Sequence, residues 1–217
     1  MELTKKAEPI LGEFKGLRRL LWQLILALDS IRTMIDLPFI DPKQMDDIDS
    51  GLFITFGRAL YVAQHFEANC RALATLLDVR DAHRSGKISP SNEDPDFNKF
   101  VDKLWKRLLA QNIGRLVNQY MPHELKYFLF PILDEARRAR NYIAHNLTPG
   151  CETLAFETEI QEGLVEEVHK LVTKVAEADK HICCIMQAVT NEPIPTSEYL
   201  KRYQEEIASW VCEPALT

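Results

Sequence analysis

The sequence predicts an all-α protein, an up-and-down bundle of about five to six helices. Three observations support this prediction. Apolar residues recur at steps of three and four along almost the whole chain, which is the spacing of a helix face. No stretch of useful length alternates with the two-residue period of a strand. The 217 residues are 46% hydrophobic and 27% charged, which is typical of a globular domain and not of a disordered or fibrous chain.

The predicted helices follow one another along the chain. The first covers about residues 9–35 and ends before two closely spaced prolines. The second covers about residues 51–85, with Ser85-Gly86 as its stop signal. The composition of residues 89–96 predicts a loop. A third helix then carries an apolar stripe from Val101 to Tyr120.

Three further helices complete the predicted bundle. The fourth has its stripe from Leu125 to Leu147 and contains Pro131, which we expect to kink or split it. Residues 148–150, Thr-Pro-Gly, end this helix. The fifth stripe, from Ile160 to Val189, has steps like those of a coiled-coil seam, although one core-facing bundle helix is the simpler interpretation. Residues 191–193, Asn-Glu-Pro, end the fifth helix. A short last helix covers residues 196–211, with Thr196, Ser197 and Glu198 as its capping residues.

Charge is distributed unevenly along the chain, whose formal net charge is -6. Residues 150–217 hold 13 acids and 5 bases, or -8, whereas residues 1–149 hold 19 acids and 21 bases, or +2. We expect residues 1–217 to form a single domain, with residues 154–211 as its acidic extension. The net charge argues against a protein that coats nucleic acid through bulk positive charge. A small basic site in the first part remains compatible with it.

Several classes of protein are excluded by missing signals. The N-terminus lacks a signal peptide, and the longest apolar stretch, near residues 20–28, is too short to span a membrane. The five cysteines are odd in number and form no C-x-x-C pair, which argues against a disulfide framework or a structural zinc site. Phosphate-binding and hydrolase motifs are missing too. We therefore expect a cytoplasmic protein with free thiols, no cofactor and no membrane contact.

Among the six histidines, His145 is distinguished by its neighbours. Asn141 precedes it by four residues and therefore shares its helix face. Arg140 precedes it by five residues, which is about 140° around an ideal helix. One copy of the chain would not present Arg140 and His145 in a single direction. Two copies that face each other across a two-fold axis can bring both groups into one cleft.

The segment Arg140-Asn141-Tyr142-Ile143-Ala144-His145 resembles the signature of the HEPN superfamily: an arginine, a polar residue, three residues and a histidine. The preceding Arg137-Arg138 and the position late in a helical bundle are also similar. The resemblance implies a helical bundle that dimerises, with both copies of the motif lining one cleft. It implies a metal-independent ribonuclease, often a toxin in toxin–antitoxin, abortive-infection or CRISPR-linked defence.

One feature of several toxin members is missing. They carry a tyrosine shortly after the histidine, as the target of modification by the antitoxin. Here Asn146-Leu147-Thr148 follows, so regulation through such a tyrosine is in doubt.

The chemistry implied by the resemblance suits these side chains. RNA can be cleaved when its own 2′-hydroxyl attacks the adjacent phosphate. His145 can act as general base or acid, because an imidazole titrates near neutral pH. Arg140 can bind non-bridging phosphate oxygens, and Asn141 can orient the phosphate or the histidine. We expect no metal, and we expect RNA, a second copy of the chain and an antitoxin or defence-system protein as partners. The expected catalytic residues are Arg140, Asn141 and His145, and the expected substrate-binding residues are Arg137, Arg138 and Tyr142.

A purely structural role of the motif is the alternative. Arg140 can pair with Glu135 or with a carboxylate on another helix. His145 can be a favourable charge near a helix C-terminus. The protein would then be a non-catalytic helical module that binds nucleotide, RNA or a protein partner.

Overall fold

The computed structural model describes residues 52–89, 94–147 and 158–213. Within these ranges it is all-helical and has no strand, which confirms the predicted fold class. The elements are α1 (Leu52–Arg84), α2 (Pro95–Trp105), α3 (Leu109–Arg115), a π-helical turn (Leu116–Tyr120), α4 (His123–His145), α5 (Thr158–Thr190) and α6 (Ser197–Cys212). The first predicted helix, residues 9–35, and the stop signal at residues 148–150 lie outside the described residues.

Helix α1 is the central element, and it packs against each of the other described helices. Its residues Phe66 and Leu73 are fully buried and join one large core with Leu133 of α4 and Ile182 of α5. Helix α5 packs against α1, α4 and α6, so it is the core-facing helix of the simpler prediction. None of the described helices combines the length and the apolar character needed to cross a membrane.

The signals predicted to bound the helices are found where the sequence suggested. Helix α1 ends just before Gly86, whose φ of 70° lies in the left-handed region that glycine adopts readily. Helix α5 ends at Thr190, and the next residue, Asn191, has a φ of 61°. The hydroxyl of Thr196 accepts a hydrogen bond of 3.2 Å from the amide of Tyr199 and caps α6.

The prediction of one third helix is wrong, because this region forms α2, α3 and the π-helical turn. Helix α2 ends at Trp105, and the extended Leu108 is 69% exposed although it fits the apolar stripe. The amide of Leu108 donates instead to the side-chain oxygen of Gln111, at 3.0 Å. Arg107 lies in this break and contacts Asp78 of α1. The spacing of apolar residues carries no information about such a polar contact, so it could not predict the break.

Helix α4 is continuous across Pro131, so the proline does not split it as the sequence allowed. Proline has no amide hydrogen and cannot bond to the carbonyl of Tyr127, four residues earlier. Both residues are exposed, and water can therefore satisfy that carbonyl. The missing hydrogen bond therefore costs less on this face of the helix than it would in the core.

A buried polar cluster joins three helices around Asp179 of α5, which is 1% exposed. The hydroxyl of Tyr203 on α6 donates to this carboxylate at 2.8 Å, and the amide of Asn69 on α1 donates at 2.9 Å. His65 Nδ1 lies 3.6 Å from the same carboxylate. The cluster satisfies a carboxylate that would otherwise be costly to bury.

The substitution Tyr203→Phe removes a hydrogen bond to this buried carboxylate. We expect the free energy of unfolding to fall by about 1.5–3 kcal/mol, the usual value for a bond to a charged group. Urea denaturation measures the change. The control is Tyr61→Phe, at a tyrosine that is 42% exposed, and we expect it to change stability little. An equal loss in both variants would contradict the role assigned to Asp179.

Candidate functional site

The motif arginine is anchored within its own chain. Arg140 forms an ion pair with Glu67 of α1, and its Nη1 donates to the side-chain oxygen of Asn141 at 3.2 Å. The Arg140 side chain is only 20% exposed, and its buried Nε has no hydrogen-bond partner among the described residues. Arg140 and Asn141 are therefore in contact, and the guanidinium is held against α1.

Glu67 also forms an ion pair with a second arginine. Arg71, one turn further along α1, contacts the other oxygen of this carboxylate at 2.8 Å. The Arg71 guanidinium also lies 5.4 Å from the centre of the Trp105 ring, which is cation–π distance. One carboxylate between two guanidiniums leaves a local charge of about +1. The four-residue spacing of Glu67 and Arg71 is visible in the sequence, but their meeting with Arg140 is not.

The motif histidine points elsewhere. His145 is the last residue of α4, and its side chain is exposed. Its imidazole makes no hydrogen bond or ion pair to a residue in the described ranges. Arg140 faces α1 while His145 faces away from the core, as the angle of about 140° predicts. One copy of the chain thus brings Arg140 and Asn141 together and leaves His145 apart.

The two arginines before the motif share one carboxylate. Arg137 donates to Asp134 from Nε at 3.0 Å and from Nη2 at 2.8 Å. Arg138 contacts the other oxygen of Asp134 at 2.7 Å and is 73% exposed. The hydrogen bond from Arg137, with help from the charge of Arg138, holds the pKa of Asp134 below its usual value. A second site of net charge about +1 therefore lies next to the motif.

Exposed aromatic side chains occupy the outer face of α4, three of them near its start and one within the motif. Tyr127 is 70% exposed, and it projects in the same direction as His145 because eighteen residues are five full turns. Phe128 and Phe130 are 56% and 47% exposed, and Tyr142 is 38% exposed. This outer face combines an apolar N-terminal half with the exposed end of the motif.

Comparison of the chain with protein-family models, with curated proteins and with solved structures finds no match. Within the described ranges, His, Cys, Asp and Glu side chains form no group of three or more that could hold a metal ion.

The coupling between Glu67 and Arg140 is measurable by a double-mutant cycle with Glu67→Gln and Arg140→Gln. We expect a coupling energy of about 1–3 kcal/mol in the free energy of unfolding, because both groups are mostly shielded from water. The control cycle uses Arg202 and Glu206 on α6, a more exposed pair at 3.8 Å. Its expected coupling is about 0.3–0.5 kcal/mol. Equal couplings would show that Glu67 does not anchor Arg140.

Proposed function

We propose that this protein is a metal-independent endoribonuclease of the HEPN type, with a composite active site at a homodimer interface. The observation that carries the proposal is the contrast within the motif. Arg140 and Asn141 are in contact and anchored to α1 through Glu67, whereas the imidazole of His145 is exposed. Cleavage of a phosphodiester requires both an anchored cation and a proton carrier that the substrate can reach.

The reaction needs only groups that two copies of the motif supply. The RNA 2′-hydroxyl attacks the adjacent phosphorus, and the bond from phosphorus to the 5′-oxygen breaks. His145 of one copy accepts the proton of the 2′-hydroxyl, and the same residue of the second copy protonates the departing oxygen. Arg140 stabilises the negative charge that develops on the phosphate, and Asn141 orients the phosphate or the imidazole.

Local charge supports an anionic substrate. Glu67 and Asp134 each contact two arginines, so each group of three side chains has a net charge of about +1 near the motif. This positive field lies on a chain with a net charge of -6. An RNA phosphate is therefore drawn toward the motif and repelled elsewhere.

The outer face of α4 supports dimerisation. Exposed aromatic side chains are costly in water, and a second copy would cover them. A two-fold axis beside this outer face would bring the two His145 side chains together and cover the aromatic side chains. The proposal includes a cytoplasmic role in toxin–antitoxin or antiviral defence, with an antitoxin or defence-system protein as partner.

A non-catalytic binding module is the second candidate, and one observation favours it. Arg140 already has an ionic partner in its own chain, Glu67. An arginine that only holds α4 against α1 needs no substrate phosphate. The two candidates make opposite predictions for His145. Its loss should abolish cleavage by a ribonuclease, whereas a binding module does not need its imidazole.

Cleavage of single-stranded RNA by the purified protein in EDTA tests the proposal. We expect His145→Ala to lower the rate by about 10²–10⁴-fold, because it removes the general acid and base. The matched control is His169→Ala, at an exposed histidine of α5, and it should keep the wild-type rate. Equal rates in the two variants, or no cleavage by the wild type, would favour the binding module.

Mixing the wild type with the inactive His145→Ala variant tests the composite site. If one cleft needs His145 from both copies, each mixed dimer is inactive. Random exchange of subunits in an equal mixture should then leave about a quarter of the activity of the same amount of wild type, instead of the half that is present before exchange. Activity that stays at one half, with mixed dimers demonstrated by mass spectrometry, would mean that each copy acts alone.

A further inference from the structure

Two carboxylates on one face of α1 each hold two arginines. Glu67 and Asp78 share this face because eleven residues are about three helical turns. Along the helix axis they are about 16 Å apart. The four arginines are Arg140 and Arg71 at Glu67, and Arg107 and Arg115 at Asp78. We call these four residues the arginine row.

The carboxylate of Asp78 is almost fully buried, with its side chain 2% exposed. Burial alone would raise the pKa of Asp78, but hydrogen bonds from Tyr120, Arg115 and Arg107 outweigh it and lower the pKa. The π-helical turn ends at Tyr120, whose hydroxyl contacts this carboxylate. Asp78 is thus an anion that neutralises one of its two guanidiniums. The arginine row keeps a net charge of about +2 after both carboxylates are counted.

A cavity of about 370 Å³ opens beside Asp78, within the size range of small-ligand pockets. Its cationic lining is Arg107, Arg115 and Lys87, and its acidic lining is Asp78 and Asp81, which leaves a net charge of about +1. Its apolar wall includes Phe100 and Leu104. A guanidinium has five N–H donors, and Asp78 accepts only some of them. The Arg115 side chain is 41% exposed and Lys87 is exposed, so donors remain for a second anion.

The cavity and the motif lie at opposite ends of the arginine row. Lys126, near the start of α4, donates to Asn118 of the π-helical turn at 2.7 Å, whereas Arg140, near its end, meets Glu67. Helix α4 therefore runs antiparallel to α1, and His145 lies beyond Glu67 on the side away from Asp78. The axial separation of His145 and the cavity is about 24 Å. A chain of several nucleotides reaches both, and a single nucleotide does not.

We propose that the arginine row is a track for the RNA backbone, and that the cavity holds one nucleotide of the substrate at a distance from the cleaved bond. This inference rests on the proposed function. The phosphate binds Arg107, Arg115 and Lys87, and the base packs against Phe100 and Leu104. A cationic groove with an aromatic wall is the usual chemistry of sites that bind single-stranded nucleic acid.

Lys87 is the residue to change, because it is exposed and makes no ion pair with a described residue. The test measures binding of single-stranded RNA, about 4 to 16 nucleotides long, to the His145→Ala protein, which leaves the RNA intact. Adding Lys87→Gln should make the slope of log affinity against log salt shallower by about 0.7 for the longer RNAs. The control Lys201→Gln, at an exposed lysine of α6, should leave the slope unchanged.

The outcomes separate this inference from the proposed function. Affinity that rises with RNA length and depends on Lys87 supports the track, even if the wild type cleaves nothing and the proposed function fails. Cleavage that depends on His145, with the same salt slope for Lys87→Gln and Lys201→Gln, overturns the track alone. Uridine or adenosine monophosphate that binds as tightly as the longest RNA, through Lys87, also overturns it and makes the cavity a site for free nucleotides.

Discussion

The central helix α1 carries polar and charged side chains into the interior, and three of them bind partners on other helices or in the turn between them. A buried polar or charged group without such a partner costs several kcal/mol, on the order of the whole stability of a small domain. Asn69 meets Asp179 of α5, Glu67 meets Arg140 of α4, and Asp78 meets Arg107 between α2 and α3. These polar contacts determine how the helices are placed around α1, which the apolar core alone would leave less specific.

The candidate site is a consequence of this constraint. The ion pair with Glu67 holds the Arg140 guanidinium against α1. Glu67 also contacts a second cation, Arg71. The carboxylate of Glu67, which joins α1 to α4, thus also orients the guanidinium of the motif residue Arg140. Structural and catalytic roles of Arg140 are compatible, because one ion pair occupies only part of the donor set of a guanidinium.

Local signals in the sequence predicted much of the fold. Helix periodicity, Gly86, Asn191 and Thr196 each act through their own few residues, and the structure has them as expected. The divergence of Arg140 and His145 follows from helix geometry alone. The contact of Glu67 with Arg140 joins residues 73 positions apart, and the contact of Asp78 with Arg107 joins residues 29 positions apart. No short-range pattern contains such information.

Arg58, near the start of α1, has a consequence for synthesis. Its guanidinium donates to the backbone carbonyls of Trp210 and Glu213 at 2.9 and 3.0 Å, across 152 and 155 residues of sequence. A ribosome releases the chain from its N-terminus, so α1 leaves the exit tunnel long before these acceptors exist. Until α6 has emerged, Arg58 in the newly made α1 lacks the carbonyl groups that it contacts in the folded protein. Folding of this bundle is therefore completed only after α6 has been translated.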